Sequence, residues 1–490
     1  MDVISPDDEL CFMAVRDLAR KIHARSVSAR EVMQAFLHRI HRLNPTLNAI
    51  VARLNDDQCL ALADAADLEI ARDDKANGLL LGLPMAFKDL EPAIGFPQTK
   101  GSPIFRNFMP ESDSVLVERL KRAGALAIGK TNVPEFGMGS QTYNTVYGTT
   151  LNPYDTTKTA GGSSGGAAVA VATGMLPFAD GSDLGGSLRN PANFNNLVAL
   201  RPSIGLVPNA PSPNPFVNLS VKGMLARTVD DLAFGLSIVA GFDERDPQSF
   251  ESPRFFSSVQ SELPSGIRVA WCPDLGGLPL DPRVRKVLEA QRRTFETLGC
   301  IVENACPDFG DVNEIFLTLR QWASWNTYKD LLASRRAELK PEAIAEIEAG
   351  ARLSGEDVAR ALMSQAQLLE RMRAFQEKYR FLVCAVNQVP PFDAAEHWPK
   401  SINGVAMENY VAWMKSTYWI SATCRPAISV PAGFTDEGLP VGIQIVGRYR
   451  RDYSVLQLAH AFEEATGFGK RRPPDGLDGL DGLIYCRQSL

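Results

Sequence analysis

Two clusters of glycine and serine are the segments of this chain best suited to chemistry: Ala160-Gly-Gly-Ser-Ser-Gly-Gly166 and Gly181-Ser-Asp-Leu-Gly-Gly-Ser-Leu-Arg-Asn190. Glycine lets backbone amides approach a ligand closely, and successive amides in such a loop form a concavity for an anion. That anion is either a bound phosphate or the transient oxyanion of acyl transfer. The phosphate reading fails on detail. A P-loop ends in Gly-Lys-Ser/Thr, whereas Gly165-Gly166 runs into Ala167-Ala168. Neither cluster has the dinucleotide spacing G-x-G-x-x-G with an acid about 20 residues on. A linker does not fit either, because Val169, Val171, Met175, Leu176 and Phe178 embed the clusters in apolar sequence. Acyl transfer by a serine needs a base. The histidines are His23, His38, His41, His397 and His460, and none sits in a supporting motif. The other base available is a neutral lysine. Lys88 closes the run Gly82-Leu-Pro-Met-Ala-Phe-Lys-Asp89, where a buried lysine is either functional or paired, with Asp89 the nearest acid. A lysine acting as base near neutrality must have its pKa, normally about 10.4, lowered by roughly 2–3, at a cost of about 3–4 kcal/mol. That requires burial without a tight acidic partner.

The elements that must hold these groups read as α/β. Residues 1–75 are helical in pattern: Ser28-Ala-Arg-Glu31 is a capping box, Val32, Phe36, Ile40 and Leu43 follow at helical spacing, and Asn44-Pro45 is the expected stop. A second helix is expected over Asp56–Arg72. Short apolar runs at Met85–Phe87, Ala125–Ile128, Ile267–Trp271, Phe381–Val386, Ala427–Val430 and Val441–Ile445 read as strands. Helical patterns at Ser114–Ala123, Ala167–Gly174, Asp281–Leu298 and Ser454–Thr466 alternate with them. Residues 311–380 differ: a charged, almost continuously helical stretch with breaks at Lys340-Pro341 and Ser354. It begins and ends inside the α/β pattern, so it reads as a lid insertion. The tail, residues 471–490, carries the repeat Asp475-Gly-Leu-Asp-Gly-Leu-Asp-Gly-Leu483, which matches no calcium-loop spacing and reads as a surface extension.

Composition excludes several classes. The 490 residues are 45% hydrophobic and 22% charged, a globular balance. A net charge of −6 gives no footprint for nucleic acid or an anionic membrane. The N-terminus has acids where a signal peptide needs cations, and no stretch supplies about 20 apolar residues, so a soluble, cytoplasmic protein is expected. The eight cysteines (Cys11, Cys59, Cys272, Cys300, Cys306, Cys384, Cys424, Cys486) form no C-x-x-C pair, and a reduced, mostly buried set without zinc is expected.

Taken together, the motifs resemble those of the amidase signature serine hydrolases. The resemblance runs through Gly82–Asp89, Gly129-Lys-Thr-Asn-Val-Pro-Glu-Phe136, Gly161–Gly166, Asp183–Arg189 and Arg227-Thr-Val-Asp230. It resumes at Pro426-Ala-Ile-Ser-Val-Pro431 and Gly438-Leu-Pro-Val-Gly-Ile-Gln-Ile-Val-Gly447. It implies one interleaved domain, a mixed twisted β-sheet flanked by helices on both faces. Residues 76–245 would form the signature core and residues 381–470 complete it. It also implies roles. Ser187 matches the nucleophile, Ser163 the bridging serine that follows a cis peptide bond, and Lys88 the base. The amides of Leu184, Gly185, Gly186 and Ser187 match the oxyanion hole, and Asp183, Arg189 and Ser164 match supporting residues. No cofactor or metal is implied.

Substrate choice is less legible. Met138 and Gly139 lie in a segment resembling one that lines the family's cleft. Trp322 and Trp325 share a helix face with Tyr328 and read either as lid packing or as an aromatic pocket, and Arg425 either enters the cleft or lies on the surface. The expected partner is a small amide, carbamate or ester, for a monomer or homodimer that binds no nucleic acid and no membrane. The alternatives are a glutaminase-type subunit of a tRNA-dependent amidotransferase, or a binding module without activity. Asn209–Val221 lacks the tRNA-dependent pattern, which favours the hydrolase.

Overall fold

The structure, a computed structural model, describes residues 6–72, 78–217, 219–251, 259 and 264–474. Four helices lead: α1 (Pro6–Phe12), α2 (Val15–His23), α3 (Ala29–Leu47) and α4 (Asp56–Arg72). The capping box forms as expected, with the Ser28 side chain accepting from the Glu31 amide and the Glu31 carboxylate accepting from the Ser28 amide. The expected stop at Asn44-Pro45 comes late, since α3 runs on to Leu47. Pro45 falls in the last turn, where it removes a single helix bond. The turn then closes through Asn48 at φ 50°, while Asn44 Oδ1 accepts from the amides of Ala49 and Ile50.

A small sheet follows, with β1 (Ile50–Val51), β2 (Pro84–Lys88) and β3 (Leu126–Thr131) in the order β1-β3-β2. Helix α5 (Val115–Arg122) is the crossover between the parallel pair β2 and β3. After the hairpin β4 (Tyr143–Asn144) and β5 (Gly148–Thr149), the chain forms α6 (Gly165–Ala172), β6 (Ala179–Asp183), α7 (Arg189–Phe194), β7 (Val198–Arg201) and β8 (Val221–Ala226). Then come α8 (Val229–Val239), β9 (Arg268–Trp271), α9 (Pro282–Thr297) and β10 (Ile301–Asn304). The helical insertion is α10 (Val312–Arg335), α11 (Pro341–Ala351) and α12 (Gly355–Lys378), broken where expected: Pro341 opens α11, and Ser354 caps α12 with Asp357. The remaining elements are β11 (Phe381–Ala385), the hairpin β12 (Ser401–Ile402) and β13 (Val405–Ala406), α13 (Lys415–Ala422), β14 (Ala427–Phe434), β15 (Pro440–Val446) and α14 (Asp452–Thr466).

Eight strands form the central mixed sheet in the order β10-β9-β11-β15-β14-β7-β8-β6. Its central strands β11, β15 and β14 read as mostly apolar runs because both faces are covered. In β11, Phe381, Val383 and Ala385 enter one apolar cluster, with Phe295, Leu458 and Phe462. Leu382 and Cys384 enter a second, with Phe316, Leu368, Trp413 and Tyr418. Successive residues of a strand point to opposite faces, so one pentapeptide serves both layers.

All six expected strands are present; in the central sheet β6, β7, β8 and β10 are additional, and outside it so are the short strands β1, β4, β5, β12 and β13. The sequence of β6, Ala-Asp-Gly-Ser-Asp, has no β-branched or aromatic residue, so it carries no strand signal, yet it is wholly buried. The expectation for the cysteines is corrected at one place: Cys272 and Cys306 form a disulfide across Cα atoms 5.5 Å apart. They follow the parallel neighbours β9 and β10, and a separation of 34 residues hides that adjacency in the sequence. Cys11, Cys59, Cys300, Cys384 and Cys424 are buried thiols. Cys486 and the Asp475–Leu483 repeat lie outside the described residues. Among the described residues no helix is long and apolar enough to cross a membrane.

Candidate active site

Strand β2 delivers Lys88 to the interior, beside β3 and against β6. Its Nζ lies 2.9 Å from Ser163 Oγ, 2.8 Å from Ser164 Oγ and 2.9 Å from Ser182 Oγ, with the Ser182 carbonyl at 3.4 Å. Asp89 does not pair with it. That carboxylate turns to the Thr99 amide at 3.1 Å and to the Thr99 hydroxyl. Asp180 accepts from the backbone amide of Lys88, not from its ammonium. Burial, reinforced by the charge of Lys222, lowers Lys88 to about 7. A neutral amine offers two N–H groups and one lone pair. Three hydroxyls at hydrogen-bond distance therefore require at least one of them to donate to the nitrogen.

The two glycine-serine segments meet at this lysine. The Gly162–Ser163 peptide is cis, and Ser164 is the N-cap residue of α6. Gly166 is required by close approach, since a Cβ there would sit 2.3 Å from the Asn132 amide nitrogen. The Ser164 amide donates to the Ser187 carbonyl at 3.2 Å, which ties the two loops together. Ser187 is half-buried, and its hydroxyl opens onto a cavity of about 880 Å³ that Ser163 also lines. Among the described residues the amides of Leu184, Gly185 and Ser187 have no acceptor. The Gly186 amide is different and corrects the sequence expectation. It donates to Asp183 Oδ1 at 2.8 Å and is spent on holding the loop.

Asp183 anchors that loop from beneath. Its carboxylate takes Arg189 in a two-pronged contact, Nε and Nη2 each at 3.0 Å, and Arg201 Nη1 at 3.3 Å. Burial alone would raise its pKa, but Arg189 and then Arg201 hold it far below the usual carboxylate range. Arg189 also reaches the Thr417 carbonyl (3.0 Å), Gln444 Oε1 (2.5 Å) and Ser421 Oγ (2.7 Å). Asp183→Asn would leave two buried guanidinium groups facing a neutral amide. A loss of roughly 3–5 kcal/mol in urea unfolding is expected; a loss under about 1 kcal/mol would show the cluster to be unimportant to stability.

A family model described as Amidase matches residues 31–456. An acylamidase of Rhodococcus erythropolis is 34% identical over 479 residues, 96% of this chain and 99% of that one. The chain belongs to the amidase signature family. The solved structure of a bacterial aryl acylamidase of the amidase signature family superposes with a TM-score of 0.87 at 28% identity, covering 94% of this chain and 97% of that one. A glutamyl-tRNA(Gln) amidotransferase component from Thermosynechococcus vestitus is 32% identical over 487 residues, 94% of this chain and 99% of that one. At the level of the family, this amidase signature chain is a hydrolase of C–N amide bonds.

Within the amidase signature cavity the expected substrate residues divide. Met138, Gly139 and Trp322 line it, together with Phe136, Phe316 and Tyr328. Trp325 does not: it packs in a separate cluster with Phe136, Leu339 and Ile347, where α10 meets the glycine of α11 at residue 350. Arg425 is also elsewhere, donating to Gln376 Oε1 at 2.9 Å and the Leu369 carbonyl at 3.1 Å. The histidines with described bonds pair with Gly78, Asp56, Glu342 and Asp230, not with the serines. Sequence reasoning missed Ser182 and Arg201. Ser182 lies inside the second glycine-serine segment, which was a usable signal, whereas Arg201 merely ends the plain apolar strand β7.

Proposed function

We propose that this chain hydrolyses apolar and aryl acyl amides by a serine relay. The observation that carries the reading is Lys88, buried without an acidic partner and ringed by serine hydroxyls, two of which, those of Ser163 and Ser182, belong to residues lining an aromatic cavity. Ser187 Oγ attacks the substrate carbonyl. Its proton passes to Ser163 Oγ as the Ser163 proton passes to Lys88 Nζ. The oxyanion is received by the unspent amides of Leu184, Gly185 and Ser187, donors of a kind whose single loss costs about 10²–10³ in rate. The tetrahedral species then collapses, and the leaving amine takes the proton back along the same path. An acyl group remains on Ser187, and water, deprotonated by the same relay, releases it as the acid.

Phe136, Phe316, Trp322 and Tyr328 favour a flat apolar group in the cavity, and the acylamidase relatives agree with that class. Trp322→Ala should raise KM for an acyl anilide about tenfold and leave kcat nearly unchanged, because uniform binding is lost while the relay stays intact. A fall in kcat with KM unchanged would place Trp322 in the chemistry instead. The deciding measurement is a panel of anilides, aryl esters and carbamates graded by size, given to the purified chain alone. Unaided anilide turnover supports this reading. The amidotransferase relatives favour a second reading, a glutaminase-type subunit, which predicts turnover of glutamine and dependence on partner chains.

A further inference from the structure

Arg425, which the cavity above does not use, lines a second cavity of about 450 Å³. It lies between the C-terminal end of α12 and the turn that follows β15, and shares no lining residue with the amidase cavity. Four guanidinium groups converge there, those of Arg373, Arg425, Arg448 and Arg451, against a single carboxylate, that of Glu377. Glu377 is already committed to Arg373 at 2.5 Å. Arg425 is almost fully buried and bonds only to the Gln376 side-chain oxygen and the Leu369 carbonyl. Arg448 is turned to the carbonyls of Gln376 and Glu377 at the end of α12. Arg451 has no side-chain partner among the described residues. The neighbouring Asp452 faces the Ser203 amide at 2.7 Å. Arg380 stands beside this group, and burial followed by the charges of Arg448 and Arg451 lowers its pKa.

Arg373 is answered by Glu377 and Glu370, but Arg425, Arg448 and Arg451 have no carboxylate partner among the described residues, and three such cations in a concave site call for an anion from outside. In a chain of net charge −6 the cluster is no general property of the surface. Guanidinium forks match the paired oxygens of phosphoryl groups. A space of this size falls within the range of small-molecule pockets. We propose that this cavity is a binding site for a small, soluble, phosphorylated polyanion, held through its phosphoryl oxygens by Arg425, Arg448 and Arg451. The inference is independent of the amide chemistry.

Isothermal titration of the full chain with inorganic pyrophosphate at fixed ionic strength tests it. Saturable one-site binding is expected. It should weaken about tenfold or more in Arg451→Gln, since a charge-assisted hydrogen bond is lost, and vanish in Arg451→Glu. The Arg451 side chain has no hydrogen-bond or ion-pair partner among the described residues, and its backbone bonds to Arg448, Ser454 and Val455 survive substitution, so both variants should keep the wild-type melting temperature and anilide turnover. Arg20→Gln, at a distant exposed pair, should bind as the wild type does. No saturable heat, or equal affinity in Arg451→Glu, would reduce the site to an adventitious ion only and overturn the proposal. Phosphatidylglycerol vesicles supply the same phosphoryl chemistry on a lipid headgroup. Co-sedimentation with them that Arg451→Glu abolishes would overturn the soluble-ligand reading.

Discussion

Ser187→Ala is expected to abolish amide turnover, with kcat/KM falling by about 10⁴–10⁶, the range in which a lost nucleophile leaves only binding and oxyanion stabilisation. The substitution is clean. Ser187 is half-buried, its carbonyl is held by the Ser164 amide, and alanine keeps both the backbone and the neighbouring free amides. Folding should therefore be unchanged, and the loss should be chemical. Ser163 also faces the cavity, so rate alone leaves room for a substitute nucleophile. Intact-mass analysis after exposure to a fluorophosphonate separates the two cases. The wild type should gain one adduct on the peptide containing Ser187, and the variant none. Anilide hydrolysis at the wild-type rate by Ser187→Ala would end the serine-relay proposal.

Lys88→Met should be nearly as damaging, costing about 10³–10⁴ in kcat/KM, because general-base assistance of this kind contributes roughly 10²–10⁴ and the relay has no other terminus. The pH profile carries more information than the rate. With Lys88 at about 7, the wild-type kcat/KM should rise with pH through that value and then level off, since only the neutral amine accepts a proton. The variant's residual rate should lack that step. Stability moves in the same sense, over the window above that value. The folded state keeps Lys88 neutral from about pH 7 upward, whereas the unfolded chain binds a proton there until about 10.5. The unfolded state thus carries the extra proton, and the wild type gains stability as pH rises across that window. Lys88→Met has no such term. Its stability relative to wild type should therefore decline by roughly 4 kcal/mol between pH 7 and pH 10.5, at about 1.36 kcal/mol per pH unit. Urea titrations of both proteins at the two pH values measure it; parallel pH dependences would mean that Lys88 is charged in the folded state.

The meeting of Lys88 with Ser163 and Ser164 was legible because each lies in a local motif whose residue types have few other uses. The central strands were legible for a related reason: Phe381–Ala385 and Ala427–Phe434 are apolar on both faces, and only a covered sheet needs that. What escaped depends on distance. Arg189 is held by Thr417, Ser421 and Gln444, which lie 228, 232 and 255 residues later in the chain, and nothing near any of them announces the contact. Gly186 reads in sequence as one more oxyanion donor, yet its amide turns to Asp183, a matter of one backbone angle. Trp325 and Arg425 each admit two readings in sequence for another reason. Aromatic and cationic types mark a surface worth burying, but not where: Trp325 goes into the packing between α10 and α11, and Arg425 into a second cavity.

The strand order also has a consequence for synthesis. The middle of the central sheet, β11, β15 and β14, comes from residues 381–446, while β6, β7, β8, β9 and β10 have all been made by residue 304. A nascent chain halted at that point holds a three-stranded piece and a separate parallel pair, each with open edges and no centre to join them. Ser421 and Gln444, which grip Arg189, are still untranslated. Synthesis must therefore reach Val446 before the sheet can close. A chain truncated before Val446 should be a substrate for chaperones and proteases instead of a smaller enzyme.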